Sequence, residues 1–151
     1  MSTADVPEAF AAVMGGINRL VRRRLRRDLT GPRLRGAQVE LLRLVSDSPG
    51  ISVTAAAKEL YLAGNSVSTL VNQLTEAGLL RRETRPEDRR SARLLVTPEA
   101  EERLRAWQER RTAVIRELVE RLGDDDQEAL AAALPALRRL ADSLREEVTS
   151  A

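Results

Sequence analysis

Arg85, Arg89, Arg90 and Arg93 fall within nine residues of sequence, with Asp88 among them. A guanidinium is a flat, permanently charged fork of donors. It suits phosphate oxygens and the minor groove of a duplex, whose negative potential deepens where the groove is narrow. A carboxylate beside a polyanion is repulsive unless it holds an arginine in position, which makes Asp88 informative. A salt-bridged surface hairpin is the competing explanation. Upstream lies a second set. Setting aside the apolar Val67, Leu70, Val71 and Leu74 from the segment 65–76 leaves Asn65, Ser66, Ser68, Thr69, Asn72 and Gln73 facing outward. Short neutral side chains approach base edges and phosphates closely, and Asn or Gln can pair bidentately with adenine. Ser and Thr are also favoured simply as residues of a helix N-terminus. Taken together, the two sets describe one helix laid in a DNA groove and a cationic hairpin reaching beside it.

Other chemistries find little support. With no Cys and no His among 151 residues, there is no disulfide, thiol switch, Cys/His zinc site, Ser–His pair or imidazole base. No phosphate-cradling glycine loop is present. The acidic run Asp124-Asp125-Asp126 is better read as a helix start than as a metal site. No metal, cofactor or enzymatic activity is expected.

Charge is uneven along the chain. Residues 1–98 carry 16 Lys and Arg against 10 Asp and Glu, whereas residues 99–151 carry 9 against 13. A basic first part and an acidic remainder suit a nucleic-acid-binding lobe joined to a part with another task. No stretch approaches the roughly twenty apolar residues that span a bilayer. The apolar run near Phe10 is broken by Gly15, Gly16, Asn18 and Arg19, unlike a signal peptide. A cytoplasmic protein without a membrane partner is expected.

The elements that position these residues are read from periodicity. Phe10, Val13, Met14, Ile17, Leu20, Val21, Leu25 and Leu29 mark one helical face, closed by Gly31-Pro32. A second helix carries Val39, Leu41, Leu42, Leu44 and Val45 and stops at Ser48-Pro49-Gly50. Ile51-Ser52-Val53 reads as a short strand leading into a helix capped by Ser52, with Ala56, Ala57 and Leu60 inward. The turn at 61–64 precedes the polar-faced helix, which Gly78 terminates. Residues 79–85 and 93–96 read as hairpin strands around a loop at 86–91. Thr97-Pro98 starts a helix whose stripe includes Ala100, Leu104, Trp107, Val114, Ile115, Leu118 and Leu122. A final helix, with Asp125 and Glu128 as a capping-box analogue, carries Leu130, Leu134, Leu137, Leu140, Leu144 and Val148 and is expected to kink at Pro135. The fold class is therefore mainly α with a small β-hairpin wing: a winged helix-turn-helix at 33–97, flanked by helical dimerisation regions at 8–29 and 98–148.

The leucine stripes exceed what a winged helix of about 65 residues can bury, so a symmetric dimer is expected to cover them, with a monomeric bundle as the alternative. Leu118, Leu122, Leu130, Leu134, Leu137, Leu140 and Leu144 are its candidate interface.

Gly78-Leu79-Leu80-Arg81-Arg82, then Pro86-Glu87-Asp88-Arg89-Arg90 and Val96-Thr97, resembles the wing signature of MarR-type transcriptional regulators. Gln38 with Leu41-Leu42 resembles the second helix of that family, and Ala57, Leu60, Ser68 and Leu74 match its helix-turn-helix. The resemblance implies a homodimer with interlocked terminal helices, reading a pseudo-palindromic operator in double-stranded DNA. It also implies that Asp88 orients Arg90 into the minor groove. It further implies a repressor released by a small aromatic or amphipathic effector, whose pocket Phe10, Met14 and Trp107 could line, although core packing is the commoner role for each. Two departures are Ala100, where the family often has glycine, and Pro135 inside the last helix. A winged helix used for protein interaction, without sequence-specific DNA binding, is the alternative function. Its mark would be an apolar or acidic exposed face on the second helix of the helix-turn-helix, and here the face from Asn65 to Gln73 is neutral and polar, with a basic wing beside it.

Overall fold

The computed structural model describes residues 5–28, 34–85 and 87–150. Among these the order is α1 (Val6–Asp28), α2 (Gly36–Asp47), α3 (Val53–Glu59), α4 (Gly64–Glu76), β1 (Leu80–Arg85), β2 (Asp88–Val96), α5 (Pro98–Glu120) and α6 (Asp124–Ser150). The expected fold class is borne out: a helical chain with one antiparallel hairpin. Two compact units divide it, Arg24–Arg110 in one, and Met1–Arg23 with Arg111–Ala151 in the other. The division falls inside α1 and α5, whereas sequence alone places boundaries at helix ends.

The Arg24–Arg110 unit holds the winged helix. Its core joins Leu41, Leu42 and Val45 of α2, Ala56 and Ala57 of α3, Val67, Val71 and Leu74 of α4, then Leu79, Leu80, Leu94 and Ala100. Three- and four-residue spacing puts the α4 members on one stripe, and the small Ala56 and Ala57 let α3 approach closely. Ser52 caps α3, its Oγ accepting from the Ala55 N–H at 3.0 Å. The turn into α4 places Tyr61 in the left-handed region, at φ 53°. Gly78, at φ 74°, reverses the chain after α4, a conformation that costs a side-chain-bearing residue about 1 kcal/mol. Thr97 then ties two elements together. Its hydroxyl donates to the Gly78 carbonyl at 2.7 Å and accepts from the Ala100 N–H at 3.3 Å, linking the exit of α4 to the start of α5.

Three local expectations are corrected. Residues 51–53 do not form a strand: Ser52 makes a single bridge to Arg93, and Val53 is already helical. The bond from Gly50 N–H to the Leu94 carbonyl (2.8 Å) and that from Leu94 N–H to the Ile51 carbonyl (2.9 Å) use up the pairing, because the cap at Ser52 starts the helix at once. Second, β2 begins at Asp88 rather than Arg93, so Asp88–Ser91 belongs to the strand and not to a loop. Pairing runs regularly from Leu80↔Val96 to Thr84↔Ala92, then jumps to Arg85↔Asp88. Arg89, Arg90 and Ser91 are therefore extra on the β2 side, the arrangement of a bulge that bends and twists a hairpin end. Third, α6 begins at Asp124, which places Asp125 inside the first turn and removes the Asp125–Glu128 capping box. Gln127 reaches back instead, its Nε2 donating to the Leu122 carbonyl at 3.0 Å.

In the other unit, Val21 of α1 and Val114 of α5 are buried. Asn18 accepts from Arg111 Nη2 at 3.4 Å. Helix α6 runs through Pro135, which cannot donate to the carbonyl one turn before it. Val13, Met14, Ile17 and Leu20 of α1, Ile115 and Leu118 of α5, Leu122 just beyond it, and Leu130, Leu134, Leu137, Leu140 and Leu144 of α6 stand exposed. Among the described residues no helix is long and apolar enough to cross a membrane.

Candidate nucleic-acid interface

Helix α4 is held from beneath and open above. Val67, Val71 and Leu74 are fully buried, while Asn65, Ser66, Thr69, Asn72 and Gln73 are exposed and Ser68 is half-buried. The N-cap is Ala63, which has no capping side chain. Asn65 and Ser66 thus lie inside the first turn and do not serve as the cap, the role that helix-terminus preference alone would give them. Thr69 is partly engaged, its hydroxyl donating to the Asn65 carbonyl at 3.0 Å.

Two side-chain hydrogen bonds connect the outward face of α4 to its neighbours. Arg82 Nη2 on β1 donates to Asn72 Oδ1 at 2.8 Å. Gln38 Nε2 on α2 donates to Gln73 Oε1 at 3.1 Å, and Gln38 Oε1 accepts from the Arg35 N–H at 2.8 Å. Sequence reasoning picked out Asn72 and Gln73 but missed their partners Arg82 and Gln38. Arg82 offered a faint signal, being one more arginine at the hairpin base. Gln38 offered none, because 35 residues separate it from Gln73.

Of the hairpin residues, the side chains of Arg85, Asp88, Arg89 and Arg90 lie outside what the structure describes. Arg93 is exposed, and its guanidinium passes over Gly50. A Cβ built on that glycine would stand 2.7 Å from Arg93 Nη2, and Gly50 has φ 85°. Arg93 therefore leans on the loop between α2 and α3, away from the end of the hairpin. Arg81 pairs with Glu83 along β1 at 3.2 Å.

The three candidate effector residues fall in different units. Phe10 is half-buried and Met14 exposed, both in the unit of the chain ends. Trp107 is half-buried in the winged-helix unit, with the Arg43 guanidinium 4.3 Å from its ring centroid. That cation–π contact gives Trp107 a structural task within its own unit. Among the described residues no group of His, Cys, Asp or Glu could hold a metal ion.

Residues 28–91 match the sequence model of the MarR family. A curated relative, named as a transcriptional regulatory protein for the hcr operon of Thauera aromatica, is 40% identical over 58 residues, 38% of this chain. The match spans only 35% of that relative's length. Solved structures agree over far more of the chain. A MarR family protein from Bacillus stearothermophilus has a TM-score of 0.75 at 20% identity, covering 96% of this chain and 99% of its own. The Thermotoga maritima transcriptional regulator Tm0710 has a TM-score of 0.72 at 24% identity, covering 92% and 98%. Streptococcus pneumoniae FabT, solved in complex with DNA, has a TM-score of 0.65 at 17% identity, covering 95% and 99%. The family match thus covers the winged helix alone, and the solved structures show that the chain as a whole shares their fold.

Proposed function

We propose that the chain is a homodimeric transcriptional regulator that binds double-stranded DNA sequence-specifically. In this reading it is a repressor released by a small aromatic or amphipathic effector. The observation that carries the DNA-binding part is the outward face of α4: five exposed, uncharged hydrogen-bonding side chains, Asn65, Ser66, Thr69, Asn72 and Gln73, beside an arginine-rich hairpin. A face meant only for solvent in so charged a chain would carry charges, whereas neutral donors and acceptors are what base edges require. Arg85, Asp88, Arg89, Arg90 and Arg93 supply the wing, with Asp88 holding Arg90 for the minor groove. Support comes from relatives of the same fold solved on nucleic acid: FabT in complex with DNA, and a Staphylococcus aureus MepR mutant bound to an oligodeoxyribonucleotide.

Homodimerisation is supported by the apolar residues exposed on α1, α5 and α6, which one chain leaves uncovered. A second copy with the same faces would cover them about a twofold axis, matching a pseudo-palindromic operator. Effector release is supported by the structural likeness, at a TM-score of 0.58, to Streptomyces coelicolor PcaV solved with its natural ligand. Phe10, Met14 and Trp107 are the candidate effector residues. A gel-shift titration against the DNA flanking the protein's own gene tests the function. We expect a discrete complex whose affinity falls on the order of a thousandfold between 50 and 200 mM salt, as counterions leave the neutralised phosphates. No retardation of that DNA, together with capture of a protein partner, would favour the interaction-module alternative.

A further inference from the structure

Resting on the DNA-reading role proposed above for α4, and placing that helix in a major groove, we infer that its reading face is polarised. Asn72 and Gln73 present amide N–H groups and not carbonyl oxygens, and so select guanine over adenine. The polarity propagates from two groups that can only donate. A guanidinium has no acceptor, so the Asn72 atom that faces Arg82 Nη2 at 2.8 Å is the oxygen Oδ1, and its NH2 points the other way. The Arg35 backbone N–H is equally committed, and turns the Gln38 oxygen toward itself at 2.8 Å. What Gln38 has left is its NH2, which donates to Gln73 Oε1 at 3.1 Å. Gln73 is thereby left with its own NH2 as the outward group. Thr69 is set in the opposite sense: its hydroxyl proton is spent on the Asn65 carbonyl at 3.0 Å, so toward a base it can only accept.

Adenine presents an acceptor and a donor on its major-groove edge, and a bidentate amide must answer with both its NH2 and its oxygen. On α4 both oxygens are already turned toward donors of the protein, so answering adenine would require each to turn outward or be shared with a second donor. Guanine presents two acceptors, N7 and O6, and an amide NH2 with two hydrogens matches that edge without breaking either internal bond. Arg82 and Gln38 act here as positioning residues: they touch Asn72 and Gln73, and through them set which base is read.

The test is in vitro selection with the full chain from duplexes carrying a randomised core, repeated with Asn72→Asp and Gln73→Glu. Each substitution keeps the oxygen that Arg82 or Gln38 occupies and replaces the NH2 with a second oxygen. We expect guanine in the wild-type sites at the positions whose preference changes in these variants. Replacing those guanines by 7-deazaguanine, which lacks the N7 acceptor, should weaken wild-type binding on the order of tenfold. Each variant should be indifferent to 7-deazaguanine at its own position while melting no lower than wild type, a pattern that a merely structural role would not produce. Selection of adenine at those positions, or wild-type binding unmoved by 7-deazaguanine, overturns the inference and leaves DNA binding intact. Failure to retard any duplex at low salt overturns both.

Discussion

The association of two chains through the terminal helices is tested by placing charges where the apolar face is most open. Leu140 and Leu144 of α6 are 54% and 62% exposed in the single chain, whereas Leu137 is only 36% exposed. Leu137→Asp would disturb packing within the chain as well as between chains, so Leu140→Asp with Leu144→Asp is the cleaner perturbation. Complete burial of a leucine side chain contributes about 1.5–3 kcal/mol, and roughly half of each remains to be buried by a partner, or about 1–1.5 kcal/mol per leucine. A twofold interface counts every change twice, so the double substitution removes about 4–6 kcal/mol of association energy. That is a Kd weakened on the order of a thousand- to ten-thousandfold, before the cost of burying carboxylates is added. Sedimentation velocity across a concentration series reads it directly, with far-UV circular dichroism as the control for helix content. We expect a wild-type dimer and a helical, monomeric variant. A wild-type chain that sediments as a monomer, or a variant that dimerises with wild-type affinity, would refute the assignment of this face.

Three further outcomes are expected. Arg90→Ala should weaken operator binding severely and leave the fold intact, and Asp88→Ala should weaken it too, although removing an acid beside DNA would by simple electrostatics strengthen it; fluorescence anisotropy on the double variant should show non-additivity, and tighter binding by Asp88→Ala would sink the orienting role. Thr97→Val, which removes both the bond to Gly78 and the cap on Ala100, should destabilise the chain by about 1–2 kcal/mol in chemical denaturation, with no loss if solvent replaces both bonds. Gly50→Ala should cost about 1–2 kcal/mol by forcing a Cβ into the left-handed region, and should displace Arg93; an unchanged denaturation midpoint would show that the α2–α3 loop relaxes freely.

Much of the architecture was legible because helix faces are written at fixed spacing. The α4 stripe of Val67, Val71 and Leu74, the cap at Ser52, the glycine stop at Gly78 and the Thr97-Pro98 start all follow from residues within a turn of one another. The face of α4 that remained outward followed by subtraction. Sequence failed where a local signal met a competing neighbour. Ile51-Ser52-Val53 has the composition of a strand, but a serine cap that satisfies the first helical N–H groups turned Val53 into a helix start. The arginines at 89 and 90 suggested a loop, but β2 runs through them as residues extra to the pairing, because Arg85 pairs back with Asp88.

What the sequence by itself determined is the set of helices, their apolar stripes and the polar face between Asn65 and Gln73, since each depends on interactions a few residues apart. What only the tertiary structure decided is the direction in which that face points its hydrogen bonds. Arg82 and Gln38 reach Asn72 and Gln73 from other elements, and an amide has no preferred end until a committed donor approaches it. Tertiary packing also decided where Arg93 lies, because the absence of a side chain at Gly50 leaves room for a guanidinium that no local pattern announces.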